Sequence, residues 1–387
     1  MPEIFALRAF GGYVWKIHSR CNLNCTYCYM YNLADRGWVD QPKMMSLETA
    51  EAAARRMRDH CLRHGRSRIN IALHGGEPLL VGPEHLRAII GILRRNLEPV
   101  DIRAKITIQS NGLLFSDAFG ALLREAQVTL GVSLDGPPAI NDRYRRDHRG
   151  RPSSARLEAK LRHISAHYPD VFAGLLCVVD PAADPVETFE YLESFRPPVI
   201  NFLLPLDNHD RLPPGKRTAG DAVYGDWLRR AFDHWVESPI STKVLFFNSV
   251  INLLCGKPAL TESHGLGPVD LIVIETNGDM EAVDSLKAAY EGAARLGLNV
   301  YNHDLDQAAG TLAVRSRQMG LAGLSATCQA CPIVAVCGGG DLPSRYSRQN
   351  GFDNPSVYCS DLQVIIGHIS AVLAEQTAGG RRADSGR

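Results

Sequence analysis

Between residues 13 and 204 the sequence alternates short apolar runs with helical patterns, and nothing else in it limits the fold as tightly. The runs are YVWKIH (13–18), INIALH (69–74), KITIQS (105–110), VTLGVS (128–133), FAGLLCVVD (172–180) and VINFLL (199–204). Helical patterns follow at 46–65, near 83–96, near 116–126, near 155–167, near 185–195 and near 221–236. The first is the best punctuated: Ser46 suits an N-cap, Glu48 and Glu51 favour the first turns, and Gly65 stops it. Strands that alternate with helices pair in parallel through right-handed crossovers. Six such units predict an α/β chain with an open, partial (β/α)6 TIM-like barrel rather than the closed eightfold form. In that architecture chemistry sits at the C-terminal ends of the strands.

The loops at those ends carry the informative residues. The first strand runs into CNLNCTYC, the second into HGGEPLL, the third into QSNG and the fourth into SLDGPP. Glycine pairs let a ligand approach the backbone. Glu77 suits an ammonium group, Ser110, Asn111 and Ser133 suit hydroxyls or a carboxylate, and Arg145 suits a carboxylate clamp. The implied ligand is a small zwitterion bearing a sugar, close to three thiolates. Cys21, Cys25 and Cys28 are one ligand short of a structural zinc site. A 4Fe–4S cubane held by three cysteines instead leaves one iron open to a small molecule.

CNLNCTYC followed by GGEP resembles the signature of the radical S-adenosylmethionine (SAM) enzymes, in motif order and spacing over residues 10–205. The resemblance implies that Cys21, Cys25 and Cys28 ligate the SAM cluster and that Gly75, Gly76, Glu77 and Pro78 hold the methionyl end of SAM. Ser110, Asn111, Ser133 and Arg145 would contact ribose and carboxylate, and Tyr27 would neighbour adenine. For Tyr27 and His74 ordinary packing is an equal alternative.

Composition fits an ordinary soluble globular protein. Lys+Arg and Asp+Glu both total 42, so nothing in the charge steers the chain toward nucleic acid or an anionic membrane. No apolar run is long enough to span a bilayer, and MPEIFALRAFGGYVWKIHSR lacks the layout of a signal peptide. A cytoplasmic location is expected, where ten cysteines are too many to be explained as disulfides. Cys61, Cys177 and Cys255 stand alone and are expected to be small apolar fillers. The pattern assigns residues 1–10 to an N-terminal extension, 11–206 to the barrel, 207–240 to a Pro/Gly-rich linker and bridging helix, 241–375 to a cysteine-bearing domain, and 376–387 to a disordered tail.

Cys328, Cys331, Cys337 and Cys359 make a second group of four thiols. By spacing alone, structural zinc and an iron–sulfur cluster both fit. The segment resembles the C-terminal SPASM (twitch-like) extension, which implies an auxiliary 4Fe–4S cluster there. That extension generally carries a second, inner cluster. Val283 and Asp341 stand where two of its cysteines would be, and none lies in 262–268, so one auxiliary cluster is expected. Asp284 follows directly; by resemblance to the sulfatase maturases it would be the catalytic base, and as a bare residue it is equally a turn carboxylate.

CGGGDLPSRYSRQNGFDNPSVYC together with VDSLK is similar to Fxs-type maturases of ribosomally made peptides, among them cyclophane-forming enzymes. The implied reaction begins with one-electron cleavage of SAM to methionine and a 5′-deoxyadenosyl radical. That radical takes hydrogen from a peptide β-carbon, and the carbon radical adds to a nearby aromatic ring. A proton then leaves, to Asp284, and an electron, to the auxiliary cluster. The expected partners are a ribosomal precursor peptide, a reductant such as flavodoxin or ferredoxin, and either the protein's own surface or a separate recognition protein for the leader. The chain begins almost at the first strand, so no N-terminal recognition domain is expected. Alternatives are a formylglycine-generating sulfatase maturase, epimerisation, thioether formation, and a non-catalytic iron–sulfur or zinc scaffold.

Overall fold

The computed structural model describes residues 8–239 and 242–384, with side chains to 376; residues 1–7, within the expected extension, and 385–387, within the expected tail, lie outside it. Ten strands occur among the described residues: β1 (Gly12–His18), β2 (Arg68–Gly75), β3 (Arg103–Ser110), β4 (Thr129–Ser133), β5 (Phe172–Val178), β6 (Val199–Leu203), β7 (Lys243–Val244), β8 (Leu271–Ile274), β9 (Asp279–Glu281) and β10 (Arg295–Asn299). The chain forms two compact units. One comprises residues up to 176, 195–198 and 268–319; the other comprises 177–194, 199–267 and 320 onward.

In the first unit β1 to β5 pair in sequence order and in parallel, as the alternation requires. Leu47–Arg63 lies between β1 and β2. Its N-cap Ser46 accepts from the Thr49 N–H, and Ala50, Ala53, Ala54, Met57 and Cys61 form its buried stripe. Gly82–Leu97, Asp117–Glu125 and Ser154–His167 follow the next three strands. A short helix, Pro138–Tyr144, was not expected; it lies inside what reads as a polar loop. Strand alternation sends Tyr13 to the helix side of the sheet, where its hydroxyl meets Phe10 and Cys61. Lys16 points to the opposite face, in register with His74 of β2.

The sheet does not stop at β1. Strand β8 pairs with it in parallel, Gly12 opposite Leu271 and Trp15 opposite Ile274. Strand β9 returns antiparallel to β8, and β10 antiparallel to β9. Gly278 makes the β8–β9 turn with φ +88°, a conformation that suits glycine. Residues 271–299, assigned from sequence to the C-terminal domain, therefore extend the barrel sheet. The pairing partner of β8 is about 260 positions away, and period-two patterning within a strand does not specify its neighbour.

In the second unit β6 pairs with β7 in parallel. Phe202, Trp227, Phe232, Trp235 and Phe247 pack edge to face or tilted with centroids 5.0–6.0 Å apart, joining β6 to helices Val223–Glu237 and Leu245–Leu254. The last helix, Cys359–Asp384, continues past the expected limit at 375, so the segment expected as a disordered tail is helical to 384. Its buried Leu362, Ile365, Ile366 and Ile369 supply the packing, and elongation costs little once a helix is nucleated. Among the described residues, no helix is long and apolar enough to cross a membrane.

Candidate active site

The cysteine loop leaves the C-terminal end of β1 and is tied to the rim by its backbone. The N–H of Asn24 donates to Arg146 and that of Thr26 to Tyr144; Cys28 closes a turn onto Cys25. The three cysteines are half-buried, and desolvation is the main cause that pushes Cys21 up to about 12 and Cys28 up to about 11, with Cys25 also raised. Glu77 adds to the shift at Cys21, and the neighbouring Cys25 to that at Cys28. Buried thiols that repel one another as thiolates become good ligands when a cationic centre replaces their protons. That donor set fits an iron–sulfur cluster.

Gly75 and Gly76 pack the second loop against the first. A Cβ on Gly75 would lie 2.1 Å from the His18 carbonyl oxygen, and one on Gly76 would lie 1.8 Å from Tyr31 Oη and 2.5 Å from the Arg20 oxygen. The expected outcome for Gly76→Ala is at least about a tenfold loss of SAM affinity in equilibrium dialysis, because the loop must move to admit the methyl group; unchanged affinity would show that the loop does not frame SAM.

Glu77 is fully buried. Its Oε1 accepts from the Leu79 N–H at 2.9 Å and from Ser110 Oγ at 2.8 Å, and its Oε2 accepts from the Asn111 N–H at 2.8 Å. Burial raises its pKa in spite of these donors. The side chain read from sequence as an ammonium partner thus braces the GGEP loop, which begins the short turn at Pro78, against the QSNG loop. Asn111 joins that brace to the cysteines: Nδ2 donates to Asn22 Oδ1 at 2.7 Å and approaches Cys21 Sγ at 3.7 Å. Ser133 accepts from Gln109 at 3.0 Å.

Tyr27 sits in a chain of hydrogen bonds, donating to Asp135 at 2.5 Å and accepting from Arg145 Nη1 at 2.8 Å. Arg145 is buried, and its Nε–H has no acceptor among the described residues. An orphaned guanidinium donor beside the cysteine loop is the second observation that fits SAM, whose carboxylate would satisfy it. The structure therefore gathers Cys21, Cys25, Cys28, Glu77, Asn111, Tyr27 and Arg145 around the ends of neighbouring strands.

Asp284, just after β9, lies in a polar cluster. Lys16 pairs with its Oδ2, Tyr29 donates to the same oxygen at 2.6 Å, and Lys16 also donates to His74 Nδ1 at 3.0 Å. Burial alone would raise the Asp284 pKa; the Lys16 charge, His74 and the two hydrogen bonds outweigh it and leave it well below the usual carboxylate range. His74 is pushed down to about 3, first by burial and then by Lys16, so it is neutral and accepts through Nδ1. Lys16, Tyr29 and Asp135 were not picked out from sequence. The signal for Lys16 was present: a lysine in the middle of an otherwise apolar parallel strand.

In the second unit Cys328 follows its cap Ser325, Cys331 closes a turn on Cys328, and Cys337 ends the short helix Val334–Cys337. Cys359 opens the last helix. Burial pushes Cys337 up to about 11, with further contributions from Cys359, Cys328 and Cys331, so all four thiols act on one region. Arg345 donates to the carbonyls of Gly338, Gly339 and Gly340 at 2.7–3.0 Å and holds the CGGGD loop around itself.

The radical SAM superfamily model matches residues 15–193. A cysteine-type anaerobic sulfatase-maturating enzyme of Clostridium novyi is 25% identical over 286 residues, covering 70% of this chain and 74% of that protein. The AdoMet-bound structure of native anSMEcpe superposes with a TM-score of 0.80 at 22% identity, over 94% of this chain and 98% of that one. SuiB of Streptococcus suis, bound to its precursor peptide SuiA, superposes with a TM-score of 0.59 at 14% identity, over 91% and 76%.

Proposed function

We propose, from the premise that this chain is a radical SAM enzyme with a cysteine-rich C-terminal region, that it cross-links a ribosomally made peptide by joining an aromatic ring carbon to the β-carbon of a nearby residue. The cluster at Cys21, Cys25 and Cys28, with SAM, supplies the hydrogen-abstracting radical. The chain's own residues do the rest. Arg145 and the Gly75–Gly76 backbone orient SAM, the Glu77 brace keeps water from the cysteines, and Asp284 receives the proton that leaves the ring.

The placement of Asp284 supports it as the base: Lys16 and Tyr29 hold Oδ2, and the side chain is 17% exposed. A base should match the acidity of the proton it takes. The proton on an oxidised ring adduct is strongly acidic, so a carboxylate held well below its usual range suffices. The same carboxylate would serve formylglycine formation, so the modified peptide decides between the two readings. Peptide substrates in the structural neighbours support a peptide here, since SuiB is bound to its precursor SuiA. Formylglycine formation stays as the second reading because the sequence relative is a sulfatase maturase.

Cys328, Cys331, Cys337 and Cys359 are assigned to one auxiliary 4Fe–4S cluster that passes on the electron or stabilises its loop. Zinc would draw four sulfurs to about 3.8 Å from one another at its usual bond length. A cubane instead takes one thiolate at each corner iron. Val283, fully buried, offers no ligand to an inner cluster. A flavodoxin or ferredoxin is the proposed reductant, and the leader is proposed to dock on the protein's own surface or on a separate recognition protein.

The test is anaerobic co-expression with any small reading frame found beside the gene, followed by tandem mass spectrometry. The expected product has lost two hydrogens between an aromatic residue and a neighbour, with no cleavage between them on fragmentation. A change confined to one serine or cysteine would replace this reading with the second.

A further inference from the structure

We propose that Lys16 is a positioning residue for Asp284: with Tyr29 it anchors Oδ2 and presents Oδ1 to the peptide. This rests on the role given to Asp284 above. The ammonium of Lys16 has three protons and three acceptors: Asp284 Oδ2, His74 Nδ1 at 3.0 Å and Tyr29 Oη at 3.4 Å. Tyr29 in turn donates to Oδ2 at 2.6 Å. Lys16 has no exposed surface, whereas the Asp284 side chain is 17% exposed. Oδ1 makes no hydrogen bond among the described residues.

One carboxylate oxygen is therefore fixed from two directions while the other stays open. The elements that fix it are β1, through Lys16, and the cysteine loop, through Tyr29; β2 contributes His74, which orients the ammonium. These are the titratable groups that act on Asp284. A carboxylate free to rotate would present either oxygen and would be neutral more of the time. The Lys16 charge removes both freedoms, because an opposite charge within a few ångströms favours the ionised form. In the proton step, the bond from the ring carbon to its hydrogen breaks, the electron pair stays with the ring, and the proton forms a bond to Oδ1. The electron that must leave would be taken up by the 4Fe–4S group that Cys328, Cys331, Cys337 and Cys359 would hold.

The experiment uses the reconstituted full chain and its precursor peptide, with Lys16→Met, Lys16→Arg and Asp284→Asn. Lys16→Met is expected to keep both clusters and SAM cleavage, while cross-linked peptide per 5′-deoxyadenosine falls about tenfold to a hundredfold. Its acid limb should move up by about one pH unit or more, and Lys16→Arg should restore part of the coupling. In cluster-free protein labelled with 13C at the aspartate carboxyls, the signal missing from Asp284→Asn should titrate higher in Lys16→Met than in wild type. If Asp284→Asn uncouples turnover but Lys16→Met shifts neither the ratio nor this titration, the positioning role is wrong and the base assignment stands. If Asp284→Asn itself leaves the ratio unchanged, the base assignment fails first. If Lys16→Met does not fold, Lys16→Arg and Tyr29→Phe carry the test through the same titration, and no upward shift in either overturns it.

Discussion

Replacing Cys21, Cys25 or Cys28 with alanine should abolish formation of 5′-deoxyadenosine and lower iron from about eight to about four per chain, for two 4Fe–4S clusters. The effect would be all or none because each thiol would hold one iron and the fourth iron would be reserved for SAM. Of the lone cysteines, Cys61 sits behind the sheet against Tyr13, and Cys255 is an exposed residue of the second unit. Cys255→Ala should therefore leave both readouts intact. Changing any of Cys328, Cys331, Cys337 or Cys359 should also remove about four irons while SAM cleavage persists. Anaerobic reconstitution, iron analysis and chromatographic quantification of 5′-deoxyadenosine decide it. Cleavage that survives loss of Cys25 would refute the site. A wild-type content near four or twelve irons would refute the cluster count.

Lys216→Met should destabilise the second unit by about 3–5 kcal/mol, the usual cost of leaving one partner of a buried ion pair unmatched. Lys216 and Asp361 lie 2.5 Å apart, both side chains fully buried. Lys216 also donates to the carbonyls of Asp221 at 2.5 Å and Val357 at 3.1 Å. Oδ1 of Asp361 accepts from the N–H groups of Tyr224 and Gly225, at the start of helix Val223–Glu237. Asp361 is two residues after Cys359, so the pair ties that helix to the segment that carries Cys359. Burial holds the Asp361 pKa above its ordinary value even with Lys216 present; without the ammonium it should rise further. Folded stability then depends on a carboxyl that binds its proton more tightly than the unfolded chain does. The variant should accordingly be least impaired at low pH and lose stability as pH rises through the raised value. Chemical denaturation of the cluster-free chain, followed by tryptophan fluorescence between pH 5 and 8, would show it. A midpoint within error of wild type would mean that the pair is solvated.

The sequence was most informative where structure is local. The five strands of the barrel unit and the helices between them fall within two or three residues of the expected bounds, since apolar periodicity, Ser46 and Gly65 act over a few residues. Short helices such as Pro138–Tyr144 were hidden because two turns carry too little periodicity to separate from a loop. The cysteine spacing picked out two groups of thiols whose members act on one another in the structure. Side chains that meet across distance were another matter. Glu77 looked like a ligand contact and proved to be a brace between two loops. Tyr27 looked like an adenine neighbour and donates to Asp135.

Asp284 shows the division best. The sequence alone determined that a carboxylate stands beside Val283, where a cluster ligand would otherwise be, and that three clustered cysteines follow the first strand. Only the tertiary structure decided what that carboxylate is. Pairing of β8 with β1 brings Asp284 to Lys16, 268 positions away. The charge state of a buried group is set by neighbours within a few ångströms, and chain order does not encode those neighbours until the sheet has formed.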